Sequence, residues 1–401
     1  MLRTFLFDHG YLEQRKAPCP VISVGNLAMG GTGKTPMVEH LIDMTREAGL
    51  FPVVISRGYR RRTRGPLPAT PISTVYDIGD EPLQIYHKYQ GLTPVIVSED
   101  RRKALPYLPE APEGQPMVII LDDAFQHRYL QRDCNILLTT YSRLYTRDHV
   151  LPFGRLRESR KGARRADIII VTKCPADLST EEAETIRKEL STASGLCKRP
   201  IEDSSPSLAR RANSFPAPAD PFPRASGPFP PRQRTLSPTG ERWRSRREAG
   251  RGGEAGERPG EVAEPERGQE GWQSAEGSFD GVRPPIFFSA IEYAELPPEV
   301  KTAGHTSLIT GIAHPEPLLE HLAEQGINVI KHLRYPDHHR FSNADLATIR
   351  KLQQPVLTTE KDAARLPNIP EIYALPIQTK ILFNQSDNLN NIILNHITQE
   401  P

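Results

Sequence analysis

The sequence predicts an α/β protein built on a mostly parallel sheet, followed after a break by a second, smaller α/β lobe. Three observations lead there. Short, nearly continuous apolar runs alternate with segments of helical periodicity, the pattern of strands covered on both faces by crossover helices. A glycine-rich turn ending in Gly33-Lys34-Thr35 follows the first of these runs. Residues 200–285 then change character, with 14 Pro and 11 Gly in 86 residues, a composition that buries too little apolar surface to offset its ordering entropy. The expected boundaries are therefore 1–196 for the first lobe, 197–284 for a long disordered insert, and 285–401 for the second lobe, whose C-terminal segment is able to return to the first.

At 401 residues the chain is long enough for two cored domains. A net charge of +2 gives no electrostatic case for nucleic acid, and the arginines of the insert are interspersed with glutamates, as in a solvated linker. Cys19, Cys134, Cys174 and Cys197 show neither CxxC nor metal-ligand spacing, which suggests free thiols in a reducing compartment. No apolar run reaches the length of about 18 residues needed to cross a bilayer. The first residues are too short and too interrupted for a secretory signal. Leu2, Phe5, Leu6 and Phe7 beside Arg3 suit either an apolar clip onto the first lobe or the end of a membrane-surface helix.

Taken in order, residues 20–36 (PVISVGNLAMGGTGKTP) carry the first strand, the glycine-rich loop and the start of a helix. That order is the context of a phosphate-binding loop. Backbone N–H groups around Gly30, Gly31, Thr32 and Gly33 can converge on phosphate oxygens, Lys34 can reach the terminal phosphates, and the Thr35 hydroxyl can ligate Mg²⁺. Ala28 stands where such loops usually have their first glycine. The chain thus reads as P-loop NTPase-like. Met37, Val38, His40, Leu41 and Met44 fall near helical spacing, with a stop at Gly49.

Residues 51–56 form a second buried strand, with Arg57, Arg60, Arg61 and Arg62 beyond its carboxyl end. Ligand contact and a solvated loop suit that cluster equally. Asp80 and Glu81 in the run VYDIGDEP look on spacing alone like a helix cap. Another strand is expected at 94–100, with Asp100, Arg101 and Arg102 at its carboxyl end. Residues 116–123 (PMVIILDD) form an apolar strand whose exit acids, Asp122 and Asp123, come 88 and 89 positions after Lys34. This is the form of a Walker-B element that holds Mg²⁺. Gln126 and His127 follow it.

Further strands are expected at 135–140 and 167–172, with Arg155, Arg157 and Glu158 between them. The next segment, TKCPAD, is close to the guanine-selecting element of GTPases, but Asp177 is displaced by two positions, which argues against guanine. After the insert, strands at 286–289, 307–312, 329–333 and 356–358 alternate with helical patterns. Three polar clusters punctuate them: GIAHP, YPDHH and TEKD. Asp337, His338 and His339 in the second suit a metal site, acid/base groups or an exposed loop.

As a set, SVGN…GGTGKTP, ISRGY, GDEP, LDD-x-FQH, LP-x-G-x-LRE, GIA-x-P, the Asp-His-His turn and TEKDA resemble the tetraacyldisaccharide 4′-kinase family of lipid A biosynthesis. The resemblance covers roughly residues 3–196 and 285–380. It implies transfer of the γ-phosphoryl group of ATP, with Mg²⁺, to the 4′-hydroxyl of a lipid disaccharide 1-phosphate at the cytoplasmic face of the bacterial inner membrane, with the enzyme held peripherally. It also implies that Asp80 is the general base and His338 its partner. Lys34, Thr35 and Asp122 or Asp123 then serve the nucleotide and metal, while Arg57, Glu81, Arg101, His127 and Arg157 become candidates to meet substrate or nucleotide. The chain departs from the family pattern at Arg60 and Ala124, where Gly is common, and in the spelling LPFGRLRE. None of these changes removes a charged group. Family members typically begin with a longer apolar helix, so attachment here is expected to use other surfaces or an upstream start. The alternative reading is a P-loop GTPase or metallochaperone-type switch.

Overall fold

The computed structural model describes residues 6–7, 11–193, 283–367 and 369–398. The segments on either side of the Pro/Gly-rich stretch belong to one compact unit. All of that stretch except residues 283–285 lies outside the described residues, and so does most of the apolar N-terminal run.

Among the described residues, nine strands make the large sheet. In chain order they are β1 (Val21–Asn26), β2 (Phe51–Ser56), β3 (Leu67–Pro68), β4 (Val95–Val97), β5 (Met117–Leu121), β6 (Cys134–Thr140), β7 (Ile168–Thr172), β8 (Ile286–Tyr293) and, after the small sheet has been built, β13 (Ile377–Ile381). Their spatial order is β13-β8-β7-β6-β1-β5-β2-β4-β3. Every pairing from β8 to β4 is parallel, and only the outermost β3 and β13 run antiparallel. The chain moves outward from β1 through β2 and then crosses to the other side through β6. The carboxyl ends of β1, β5 and β6 therefore flank a topological switch point, where open α/β sheets bind ligands.

The strand sequences explain this layer. Residues of β1 are buried throughout, and the strand alternates between two cores. Ile22 and Val24 face Met37, Val38, Leu41 and Ile42 of helix α1 (Lys34–Glu47) together with Leu389, Ile393 and Ile397 of the last helix. Val21 faces Val53, Ile55, Ile119 and Leu121 on the opposite side. Likewise Ile169 and Val171 of β7 pack with Ala183, Ile186 and Leu190 of α4 (Thr180–Ala193). Two short helices precede β4: α2 (Val75–Ile78) and α3 (Asp80–Lys88). Gly79 joins them at φ 92°, and a Cβ there would come within 2.9 Å of the Tyr59 carbonyl oxygen. Glycine is thus required for the 57–60 loop to lie against the start of α3.

The second sheet has four parallel strands in the order β10-β9-β11-β12: β9 (His305–Thr310), β10 (Asn328–Arg334), β11 (Val356–Thr359) and β12 (Ile372–Leu375). Leu308 and Leu357 pack on one face with α5 (Pro298–Ala303) and α6 (Glu316–Glu324), while Ile309 and Val356 face α7 (Asn343–Ile349) on the other. Helix α8 (Glu360–Ala363) begins where β11 ends. The returning segment is more extensive than the late strand pattern suggested. Both β8 and β13 widen the large sheet, and α9 (Ser386–Thr398) covers its face, so the small sheet is confined to β9–β12.

Candidate active site

The phosphate loop leaves β1 and is fixed by side chains around it. Asn26 donates from Nδ2 to Thr32 Oγ1 at 2.7 Å, and Thr172 Oγ1 at the end of β7 donates to the Thr32 carbonyl at 2.9 Å. Gly30 and Gly33 take positive φ of 117° and 76°. Ala28 instead pairs antiparallel with Leu156, next to a 2.8 Å hydrogen bond from Met29 N to Arg155 O. Its extended backbone needs no glycine, which accounts for the variant spelling. Arg157 N also donates to Leu27 O at 2.7 Å, so the 151–158 segment braces the loop from outside. Arg60, where the family commonly has Gly, sits at φ 61°, a conformation that favours glycine.

The exit of β5 brings acids to this loop. Asp123 lies 3.5 Å from Lys34 Nζ and 3.2 Å from Arg157 Nη1. Burial raises its carboxyl pKa, but Lys34 and Arg157 outweigh burial and hold it below the usual range. Asp122 is buried and accepts from Ser56 Oγ at 2.8 Å. Burial, reinforced by the neighbouring Asp123 charge, pushes it up to about 6. Two carboxylates of unequal basicity therefore stand at the exit of β5, one of them within 3.5 Å of the Lys34 ammonium. This set of hard oxygen donors suits Mg²⁺.

Arg101 and His127 are placed differently from the cleft residues. Arg101 is 3% exposed, and its Nη2 donates to the carbonyls of Asp122 and Asp123, each at 3.1 Å. Burial lowers its guanidinium to about 10. His127 Nε2 accepts from Arg101 N at 3.2 Å. Burial and then the Arg101 charge push the imidazole down to about 4. Both side chains brace the acidic turn from beneath. Arg57 remains exposed beyond β2.

The second half of the site joins the two sheets. Asp80 opens α3 without making a capping hydrogen bond to the helix. Its Oδ2 instead lies 2.8 Å from His338 Nδ1. Arg365 donates to the same oxygen from Nε at 2.8 Å. Burial opposes ionisation of Asp80, yet His338 and Arg365 outweigh it and depress the carboxyl pKa. His338 is held at φ 60°, with its N–H donating to Gly311 O at 3.2 Å. Lys361 Nζ lies 3.2 Å from His338 Nε2, 3.3 Å from Asp337 and 3.6 Å from Glu81. A proton on Nδ1 directed at Asp80 leaves Nε2 to accept from Lys361, while Arg365 Nη2 also lies 3.3 Å from Nδ1.

The polar clusters of the second half are themselves tied together. Asp362, fully buried, accepts from Gly311 N and Thr359 Oγ1, both at 2.8 Å, and from Arg365 Nη1 at 2.9 Å. GIAHP, YPDHH and TEKD thus form one hydrogen-bonded unit that presents His338 to Asp80. Sequence reading did not single out Arg365, Lys361 or Lys88. The only available signal was that Arg365 follows Asp362 by one helical turn, an ion-pair spacing.

The family model described as tetraacyldisaccharide-1-P 4′-kinase matches residues 1–214 and 285–398. The tetraacyldisaccharide 4′-kinase of Bacteroides thetaiotaomicron is 35% identical over 413 residues, spanning 99% of this chain and 90% of its own length. That of Flavobacterium psychrophilum is 31% identical, spanning 99% and 92%. The Porphyromonas gingivalis protein of the same name is 48% identical over 190 residues, 47% of this chain and 53% of its own. A crystal structure of LpxK from Aquifex aeolicus in complex with ATP shares the fold, with a TM-score of 0.61 at 24% identity over 99% of this chain and 94% of that one. Extended similarity along both halves of the chain, together with the shared fold, leads to one conclusion: the chain belongs to the tetraacyldisaccharide-1-P 4′-kinase family.

Proposed function

We propose that this chain transfers the γ-phosphoryl group of ATP to the 4′-hydroxyl of a tetraacyldisaccharide 1-phosphate in lipid A biosynthesis, with Asp80 as the base. The observation that carries the assignment of roles is the shape of the Asp80 environment. His338 and Arg365 both take Oδ2, and Oδ1 has no hydrogen bond among the described residues. An acceptor hydroxyl therefore has a carboxylate oxygen to bind. As the O4′–P bond forms and the bond from the γ-phosphorus to the β,γ-bridging oxygen breaks, the hydroxyl proton passes to Asp80. A depressed pKa keeps Asp80 anionic, so it orients the hydroxyl from the outset and accepts the proton late.

Most of the rate must come from positioning and charge neutralisation, because phosphoryl transfer leaves little covalent work to the protein. Lys34 and the loop amides supply fixed donors for the phosphates. Thr35, Asp122 and Asp123 would hold Mg²⁺, which supplies charge neutralisation of the terminal phosphates when bound. Arg57, Arg157 and Glu81 are the candidates to orient the substrate. An acylated acceptor resides in a bilayer, so the enzyme works peripherally at the cytoplasmic face of the inner membrane; no helix among the described residues is long and apolar enough to cross one. The test is purified chain with labelled ATP, Mg²⁺ and the tetraacyl disaccharide 1-phosphate in detergent. Formation of the 4′-phosphate is expected. Nucleotide hydrolysis without transfer, or a preference for GTP, would overturn the assignment and return the switch-protein reading.

A further inference from the structure

Lys173 directly follows β7 within the TKCPAD segment, which the proposed chemistry leaves unused. Its φ is 57°, uncommon for a side chain other than Gly, Asn or Asp, and such a conformation persists where neighbours over-determine it. Here they do. Thr172 on one side donates to the Thr32 carbonyl at 2.9 Å, and Cys174 N on the other donates to Ser289 O at 3.0 Å. The result carries the ammonium back over the phosphate loop: Lys173 Nζ is 3.9 Å from where a Cβ on Gly31 would lie.

Charge balance points the same way. Lys34 and Arg157 share one carboxylate, Asp123. Lys361 is taken up by Asp337 and Glu81. Lys173 is exposed and makes no ion pair or hydrogen bond through its ammonium among the described residues. The surrounding protein, then Lys361 and Lys34, hold that ammonium below the usual lysine range. Of these four cations, Lys173 alone lacks a carboxylate partner among the described residues, so its ammonium is left for an anionic ligand. Resting on the assignment of ATP as phosphoryl donor, we infer that Lys173 is a second phosphate-binding lysine, which contacts the terminal phosphates of the nucleotide beside Lys34.

The test is calorimetric titration of the full chain with ATP, ADP and AMP, comparing wild type with Lys173→Met, Lys173→Asn and Lys173→Arg. Met keeps the side-chain length, and Asn relieves the left-handed backbone, so a loss common to both reports the ammonium rather than folding. Loss of a charged contact to phosphate is expected to weaken ATP about tenfold or more in both variants, to weaken AMP hardly at all, and to be largely restored in Lys173→Arg. Lys188→Met, on the exposed side of α4, should match wild type. The lipid KM should not move. Unchanged ATP affinity in Lys173→Met, an equal loss for AMP, or an effect confined to the lipid KM would overturn the assignment of Lys173. Failure of the wild-type chain to bind ATP would instead remove the kinase reading on which it rests.

Discussion

Asp80 Oδ2 receives His338 Nδ1 and Arg365 Nε at the same distance, 2.8 Å, although the three residues come from opposite ends of the chain. One oxygen is thereby committed to protein and the other is left to substrate. Asp80→Asn keeps the size and the neutral hydrogen bonds but cannot accept a proton. It should lose about 10²–10⁴-fold in kcat, the usual contribution of a positioned base, with ATP affinity unchanged. Steady-state kinetics beside ATP titration checks this, and full turnover would remove Asp80 from the mechanism.

The same arginine is predicted to matter for stability. Arg365 and Asp362 have side chains 2% and 0% exposed, so Arg365→Gln leaves a carboxylate buried without its counter-ion. Removing one partner of such a pair costs about 3–5 kcal/mol. Urea unfolding should show a loss of that order. The double variant Arg365→Gln/Asp362→Asn should recover part of it, with a coupling of about 1 kcal/mol or more. Strict additivity would mean that the pair is not an energetic unit.

These partnerships mark the limit of what the sequence reveals. The parallel strands were legible because burial on both faces makes them plain apolar runs, and the phosphate loop because its glycines and lysine have a fixed order. Asp80 was not: near the start of a helix, spacing alone reads it as a cap, and only the approach of His338 from the other sheet gives its carboxylate a different use. Arg101 and His127 carry the polar character of ligand residues, yet the fold turns them under the Asp122–Asp123 corner. The apolar run at 286–289 has no feature that separates the start of a new lobe from the extension of an old one, since both environments are apolar. Pairing with β7, in which each residue meets a partner 117 positions away in the chain, decides it.

His127 predicts an acid-sensitive site. Its imidazole must be neutral to accept from Arg101 N, and its pKa falls from about 6.5 to about 4 in the folded state. Because the folded value is the lower one, the unfolded chain binds the proton first as pH drops. The stability contribution is thus fully present above pH 6.5 and is lost between about pH 6.5 and 4. Its size is on the order of 3 kcal/mol. His127→Gln, which can still accept from Arg101 N, should flatten that part of the stability profile. An identical acid dependence in wild type and variant would exclude His127 as its source.

Lys88 gives the last prediction, because it sits at the opposite end of α3 from Asp80. Its Nζ lies 2.7 Å from Glu39 on α1 and 3.2 Å from Glu360 at the start of α8, and it donates to Ile377 O at 3.3 Å. Burial opposes the ammonium, but Glu39 and Glu360 outweigh it and raise its pKa. One cation therefore holds the phosphate-loop helix, the helix of the base and the segment leading to Lys361 and Arg365. Lys88→Met would leave two carboxylates facing each other, one only 3% exposed. A loss of about 2–4 kcal/mol is expected, discounted from the fully buried case because Lys88 is 26% exposed. Burial already pushes the Glu39 carboxyl up to about 7, and Lys88 no longer opposes that in the variant, so the deficit should be largest at pH 8 and shrink as Glu39 protonates toward pH 5. Since α3 also carries Asp80, kcat should fall as well, and Lys88→Met/Glu39→Gln should restore part of both. A variant with wild-type stability at pH 8 and wild-type turnover would show that the three helices are held together without this ion cluster.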